Sequence, residues 1–338
     1  MKYKLLVLDV DGTLLNDAKE ISKRTLAALL KVQQMGVRIV LASGRPTYGL
    51  MPLAKMLELG NYGGFILSYN GCQIINAQNG EILFERRINP EMLPYLEKKA
   101  RKNGFALFTY HDDTIITDSP ENEHIQNEAR LNNLQIIKEE EFSAAVDFAP
   151  CKCMLVSDDE EALVGLEDHW KRRLNGALDV FRSEPYFLEV VPCAIDKANS
   201  LGALLEVLDV KREEVIAVGD GVCDVTMIQL AGLGVAMGHS QDSVKAMDQP
   251  DTGYDRSVDS KYVSVPREEE LLDHSGTGNI YECSFHDLFL LRRRVSGTFY
   301  EGCLSGRNYP GSSIPWNLYP CDKETNESIV VRQCNLNT

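Results

Sequence analysis

Three short apolar runs, each ended by a polar turn that contains glycine, constrain this chain more than any other feature. Leu5 to Leu8 runs into Asp9-Val10-Asp11-Gly12-Thr13, Val37 to Leu41 into Ala42-Ser43-Gly44-Arg45-Pro46, and Phe65 to Leu67 into Ser68-Tyr69-Asn70-Gly71. Runs this short are buried strands rather than membrane spans, and Asp9 and Asp11 interrupt the first at once. Between the first two, Ser22 is placed to cap a helix whose apolar stripe is Leu26, Leu29 and Leu30 and which stops at Gly36. Strand, helix, strand, helix, strand at this spacing predicts an α/β fold with a parallel sheet covered on both faces.

After Ile82 the pattern changes. Helical stretches near Pro90 to Lys102 and His124 to Asn132 alternate with strand-like runs at Phe105 to Thr109, Thr114 to Thr117, Lys152 to Val156, Val180 to Arg182 and Phe187 to Val191. His111-Asp112-Asp113 predicts a hairpin turn between the first two. The βαβ rhythm resumes with a helix over Lys197 to Leu208, a strand over Val215 to Val218 ending in Gly219-Asp220-Gly221, a short helix over Thr226 to Leu230 and a strand over Gly234 to Met237. A core that is interrupted and resumed implies an inserted α+β cap. The expected division is 1–85 with 191–266 as core, 86–190 as cap, and 267–338 as an unassigned and poorly ordered C-terminal extension. Tyr262 to Val265 is a candidate last strand.

Bulk properties narrow the partners. The 338 residues carry 35 basic and 50 acidic side chains, a net charge of −15, which argues against a general nucleic-acid surface. Arg292-Arg293-Arg294 reads as a solvated charge run. Without a secretory or membrane-spanning layout at the amino terminus, the expected location is the cytoplasm, with no membrane partner. The nine cysteines have no regular framework or zinc-type spacing and read as free thiols. Oligomeric state is open.

The strand ends carry the chemistry. Two carboxylates separated by one residue at the end of a buried strand are costly unless a cation and a polar reaction centre compensate them. Ser43 offers a hydroxyl and Gly44 a close backbone approach; Lys197, at the start of the returning helix, can neutralise phosphate charge. Asp220 and Asp224 flank another turn after a strand, and hard carboxylate oxygens without a His-rich cluster favour Mg²⁺. Each feature alone has a bland reading as a turn or surface residue. Together they supply the nucleophile, the cation site and the donors that phosphoryl transfer needs.

These motifs, with Asp196-Lys197, Gly219-Asp220-Gly221-x-x-Asp224 and Gly234-Val235-Ala236-Met237-Gly238, resemble the haloacid dehalogenase (HAD) superfamily, in particular its Cof-type sugar-phosphatase branch, over about residues 1–247. The resemblance implies a Rossmann-like parallel-sheet core with a class IIB cap. It implies a phosphomonoester hydrolase for a small phosphorylated metabolite, with sugar phosphates as the leading class. Asp9 would be the nucleophile and Asp11 the acid/base, while Ser43, Gly44 and Lys197 would hold the phosphoryl group. Mg²⁺ would be bound by Asp9, the backbone carbonyl of Asp11, and Asp220, with Asp224 in support. Arg45, Asn70, Glu189 and Cys223 are candidate substrate contacts. The chain departs from the family pattern in having Cys223 where an asparagine is usual, His239 after Ala-Met-Gly, and Ala198 after the motif lysine. A phosphomutase shares the aspartyl-phosphate step, and a catalytically impaired ligand-sensing protein is the alternative that Cys223 suggests.

Overall fold

The computed structural model describes residues 2–241, Val244, and the backbone of two strands at 261–265 and 330–331. Nine strands form one sheet in the order β15-β14-β13-β12-β1-β2-β3-β4-β5. Its centre is parallel: β1 (Leu5–Asp9) lies between β12 (Val215–Gly219) and β2 (Arg38–Ala42), with β3 (Phe65–Ser68) beyond β2 and β13 (Leu233–Met237) beyond β12. The registers Leu5↔Val215 and Leu5↔Arg38 bring the carboxyl ends of these strands to one edge.

The apolar runs form central strands because both of their faces are covered. Leu6 and Leu8 point into one apolar cluster with Ile39, Leu41, Ile216 and Val218, while Leu5 and Val7 point into another with Val40, Val215 and Ala217. Helix α1 (Lys23–Gln34) starts where Ser22 accepts the Thr25 amide and stops before Gly36, as its sequence predicts. α2 (Thr47–Met56) and the short α3 (Leu59–Tyr62) follow β2.

After β3 the sheet gains an antiparallel hairpin, β4 (Gln73–Asn76) and β5 (Ile82–Glu85), which the apolar pattern does not announce. These strands are four residues long, and their Gln73 is fixed by polar contacts to Thr47 and Glu85.

The chain then builds a second, six-stranded sheet in the order β10-β11-β9-β6-β7-β8. Its strands are β6 (Ala106–His111), β7 (Thr114–Thr117), β8 (Gln135–Lys138), β9 (Cys153–Val156), β10 (Leu178–Glu184) and β11 (Phe187–Pro192). Its helices are α4 (Leu93–Asn103), α5 (Glu123–Asn132), α6 (Phe142–Ala145) and α7 (Glu160–Arg173). Leu93, Leu96, Leu163 and the fully buried Trp170 cover one face against Leu107, Leu155, Leu188 and Val190. The opposite face packs on Tyr69 and Cys72 of the first sheet's loops. Cys151 precedes β9 and is buried in a different apolar cluster from Cys153.

The chain re-enters the first sheet through α8 (Lys197–Leu208), β12, α9 (Val225–Leu230) and β13. The fold is therefore an α/β core of Rossmann type carrying an inserted α+β cap. The candidate strand near Tyr262 is present as β14 (Lys261–Val265), parallel to β13, and β15 (Val330–Val331) pairs with it antiparallel. The remainder of the C-terminal extension, with its four cysteines and the arginine triplet, lies outside the described residues. No helix among the described residues is long and apolar enough to cross a membrane.

Candidate active site

Asp9 is the last residue of β1, and its carboxylate is buried at the carboxyl edge of the sheet. Asp220 follows β12, and Asp224 stands one turn later at the start of α9. These three aspartates each place a carboxylate oxygen within 4.8 Å of the others, and they are the only such acidic or metal-ligating group among the described residues.

Lys197, the first residue of α8, is 1% exposed and enters this cluster from the returning helix. Its Nζ donates to Asp9 Oδ1 at 2.7 Å and to Asp224 Oδ1 at 2.6 Å. Asp224 spends its other oxygen on the backbone: Oδ2 accepts the N–H groups of Asp220 at 3.1 Å and Gly221 at 2.9 Å, which fixes the turn that carries Asp220. Thr13 Oγ1 donates to Asp220 Oδ1 at 3.1 Å. Gly12 is required where it stands: its φ is +87°, and a Cβ there would meet Asp220 Oδ2 at 2.3 Å.

The electrostatics point to a cation. Three carboxylates stand together, two of them on one lysine, and Asp9 Oδ2 is buried without a hydrogen-bond partner. Burial, with the nearby Asp224 and Asp220 charges adding to it, pushes the Asp9 carboxyl up to about 7 although Lys197 works the other way. Lys197 is itself held well above its ordinary value: burial opposes its charge, and the Asp224 and Asp9 carboxylates outweigh it. Hard oxygen donors, net negative charge and an orphaned buried oxygen fit a divalent metal ion of the Mg²⁺ type.

Asp11 lies two residues on, and its carboxylate is not part of the cluster. Arg45 grips it with Nε at 2.6 Å from Oδ2 and Nη2 at 2.7 Å from Oδ1, and Lys19 Nζ reaches Oδ1 at 2.8 Å. Burial raises the Asp11 carboxyl, but the hydrogen bonds and charge of Arg45 and Lys19 bring it below the usual carboxylate range. Ser43 follows β2; its Oγ accepts the Arg45 N–H at 3.2 Å, and its own N–H donates to Leu67 O, tying the loop to β3. Asn70, with φ at +57°, packs its amide against Gly44, where a Cβ would stand 3.1 Å from Asn70 Oδ1.

The residues singled out from sequence thus fall into two adjoining groups. Asp9, Lys197, Asp220 and Asp224 converge directly. Ser43, Gly44, Arg45 and Asn70 form the neighbouring loop wall, with Glu189 of the cap 3.5 Å from Asn70 Nδ2. Cys223 sits at the edge, its Sγ 3.9 Å from Asp224 Oδ1, and His239 Nε2 is 3.4 Å from Asp220 Oδ2. Sequence reasoning passed over Lys19 and Lys152. Lys152 is the more telling omission: it is 3% exposed and donates from the cap to Gly44 O at 3.0 Å. Its signal was a lone cation inside the run Cys151 to Val156.

Residues 6–253 match the haloacid dehalogenase-like hydrolase family, and the chain belongs to that family. Among solved structures, a haloacid dehalogenase-like hydrolase from Bacteroides thetaiotaomicron is 45% identical, superposes with a TM-score of 0.73, and covers 80% of this chain and 96% of its own. A Thermotoga maritima protein is 28% identical with a TM-score of 0.65, covering 78% and 92%. The Bacillus subtilis 5-amino-6-(5-phospho-D-ribitylamino)uracil phosphatase is 32% identical over 246 residues, 72% of this chain and 86% of that protein. Fold, family and the aspartate cluster together define a HAD-type hydrolase of the phosphatase kind.

Proposed function

We propose that the protein is a Mg²⁺-dependent phosphomonoester hydrolase for small phosphorylated metabolites, sugar and polyol phosphates foremost, working through a phosphoryl group carried on Asp9. The observation that carries this reading is the cluster of Asp9, Asp220 and Asp224, with Asp9 and Asp224 held by one buried lysine and Asp9 Oδ2 left unpartnered. The Bacillus subtilis relative, named for a phosphorylated ribityl compound, supports the substrate class.

In this reading Asp9, Asp220 and the backbone carbonyl of Asp11 would hold Mg²⁺, supported by Asp224; the ion would offset negative charge on the phosphoryl oxygens. A carboxylate oxygen of Asp9 attacks phosphorus, forming the Asp9–phosphorus bond as the ester oxygen leaves. Lys197 orients Asp9 through its 2.7 Å contact and offsets charge at the reacting centre. Ser43 and the Gly44 backbone supply donors for the phosphoryl oxygens. Asp11 gives its proton to the departing oxygen and later takes one from the water that attacks phosphorus and frees Asp9. Because Arg45 and Lys19 hold Asp11 ionised, the first of these duties requires its carboxylate to leave the Arg45 fork and take up a proton from solvent beforehand.

The test is phosphate release from a panel of sugar and polyol phosphates, with and without Mg²⁺, in wild type and Asp9→Asn. Metal-dependent release that Asp9→Asn abolishes is expected. Equal release by the two proteins would refute the role of Asp9.

A further inference from the structure

The hairpin β4–β5 widens the sheet beyond β3, and its two faces meet different surroundings. Ile74 pairs with Phe84 and is buried with Leu201 and Leu204 of α8. Side chains alternate along a strand, so Ile75 and its partner Ile82 face the other way, on the side of α2. There they floor an open cleft of about 590 Å³ whose roof belongs to the cap. The roof is aromatic: Tyr110 of β6 stands 5.7 Å, centre to centre, from Tyr69 of the core, and His111 stacks on Phe148 at 4.3 Å and 22°.

Packing does not account for this lining. On the core side Tyr48, Met51 and Ile82 remain 39%, 48% and 48% exposed. Single exposed apolar side chains need no explanation, but three gathered in one concavity under aromatic rings mark a binding surface. Two charged groups join them. Arg87, on the linker from β5 into the cap, donates Nη1 to Ala149 O at 2.8 Å, and Asp112 follows His111 in the β6–β7 turn. None of the residues proposed for catalysis lines this cleft.

We propose that this cleft is a second binding site, for an uncharged planar heterocycle of the nucleobase type, and that its occupant braces the cap against the core. The ligand class follows from the lining. A flat ring fits between the Ile75–Ile82 floor and the His111–Phe148 stack, where both of its faces lose water. The donors and acceptors on the edge of such a ring suit the Asp112 carboxylate and the Arg87 guanidinium, one of each sign, so a net charge on the ligand brings no advantage. The volume lies within the range of about 300–1,000 Å³ usual for small-molecule sites. The brace follows from position: the floor is core, the roof is cap, and Arg87 stands on the linker that joins them.

The experiment titrates ethenoadenosine, an uncharged fluorescent nucleoside, with the full-length protein and follows fluorescence anisotropy. Saturable binding is expected, displaced by adenosine but not by inorganic phosphate with Mg²⁺, and unchanged in Asp9→Asn. Ile82→Ser on the core and His111→Ala and Phe148→Ala on the cap should each weaken it about five- to a hundredfold, as for loss of one surface against a stacked base. Saturating adenosine should slow amide hydrogen exchange in both the β4–β5 hairpin and the β6–β7 turn. No saturable binding, or binding that phosphate displaces or Asp9→Asn abolishes, would overturn the site; so would binding indifferent to all three cleft variants. Weakening by variants of one domain alone, or exchange slowed on one side alone, would overturn the brace. Circular dichroism checks folding, and the exposed Ile82 and His111 keep the comparison should Phe148→Ala not fold. None of these readouts depends on hydrolysis, so the phosphatase reading stands or falls separately.

Discussion

Replacing Lys197 with methionine isolates the energetic centre of the site. The side chain is fully enclosed and is the shared partner of Asp9 and Asp224, at 2.7 and 2.6 Å. Methionine fills nearly the same volume, so the change removes charge and hydrogen bonds rather than packing. It leaves Asp9 and Asp224 buried beside Asp220 with no positive partner at the centre. Breaking a buried ion pair in this way costs about 3–5 kcal/mol. In metal-free protein, urea unfolding followed by circular dichroism is expected to show that loss as a lower midpoint with an unchanged slope. Added Mg²⁺ supplies replacement positive charge, so it should stabilise Lys197→Met more than wild type and narrow the gap. Because the cost comes from the stranded carboxylates, Lys197→Met made in an Asp224→Asn background should cost markedly less than in wild type. A variant as stable as wild type without metal, or full additivity with Asp224→Asn, would refute the reasoning.

Three further expectations follow from the same geometry. The Asp9 carboxyl is raised from 3.8 to about 7, so the folded state binds its proton more tightly than the unfolded chain does. Its contribution is whole at low pH and is lost as pH rises through about 7; metal-free wild type should therefore lose stability relative to Asp9→Asn across that window, measured by urea midpoints, and parallel curves would contradict the assignment. Gly12→Ala forces a side chain into φ +87° and against Asp220, with an expected cost of about 1–3 kcal/mol and weaker Mg²⁺ binding by calorimetry. Asp220→Asn keeps the shape but removes one of the clustered charges, so calorimetric Mg²⁺ affinity should drop while circular dichroism stays the same.

Much of the core was readable because its physics is local. Leu5 to Leu8, Val37 to Leu41 and Val215 to Val218 are apolar on both faces and end in polar turns, a pattern that a doubly covered parallel sheet produces and few other structures do. The grouping of Asp9, Ser43, Lys197 and Asp220 at one edge follows from that topology. The β4–β5 hairpin escaped notice because its strands are short and Gln73 and Glu85 dilute their pattern. Side-chain partnerships were the least visible. That Asp11 would be gripped by Arg45 and Lys19 depends on how three loops meet, and that Asp224 would spend one oxygen on the backbone and the other on Lys197 depends on the exact pitch of one turn. Lys152 becomes conspicuous only when the face carrying Met154 and Val156 is seen to meet the core rather than solvent.

The pairing of β1 with β12 has a consequence for how the chain comes together. Leu5 sits beside Val215, so the central strand waits for a neighbour that leaves the ribosome only after the whole inserted cap. Until then Asp9 has neither Lys197 nor Asp220 near it. A cation that needs Asp9 and Asp220 together cannot assist the first half of folding, but it rewards the final docking step. Such an ion would act as a clasp, favouring closure of the chain around its own insertion and slowing the reopening of that seam.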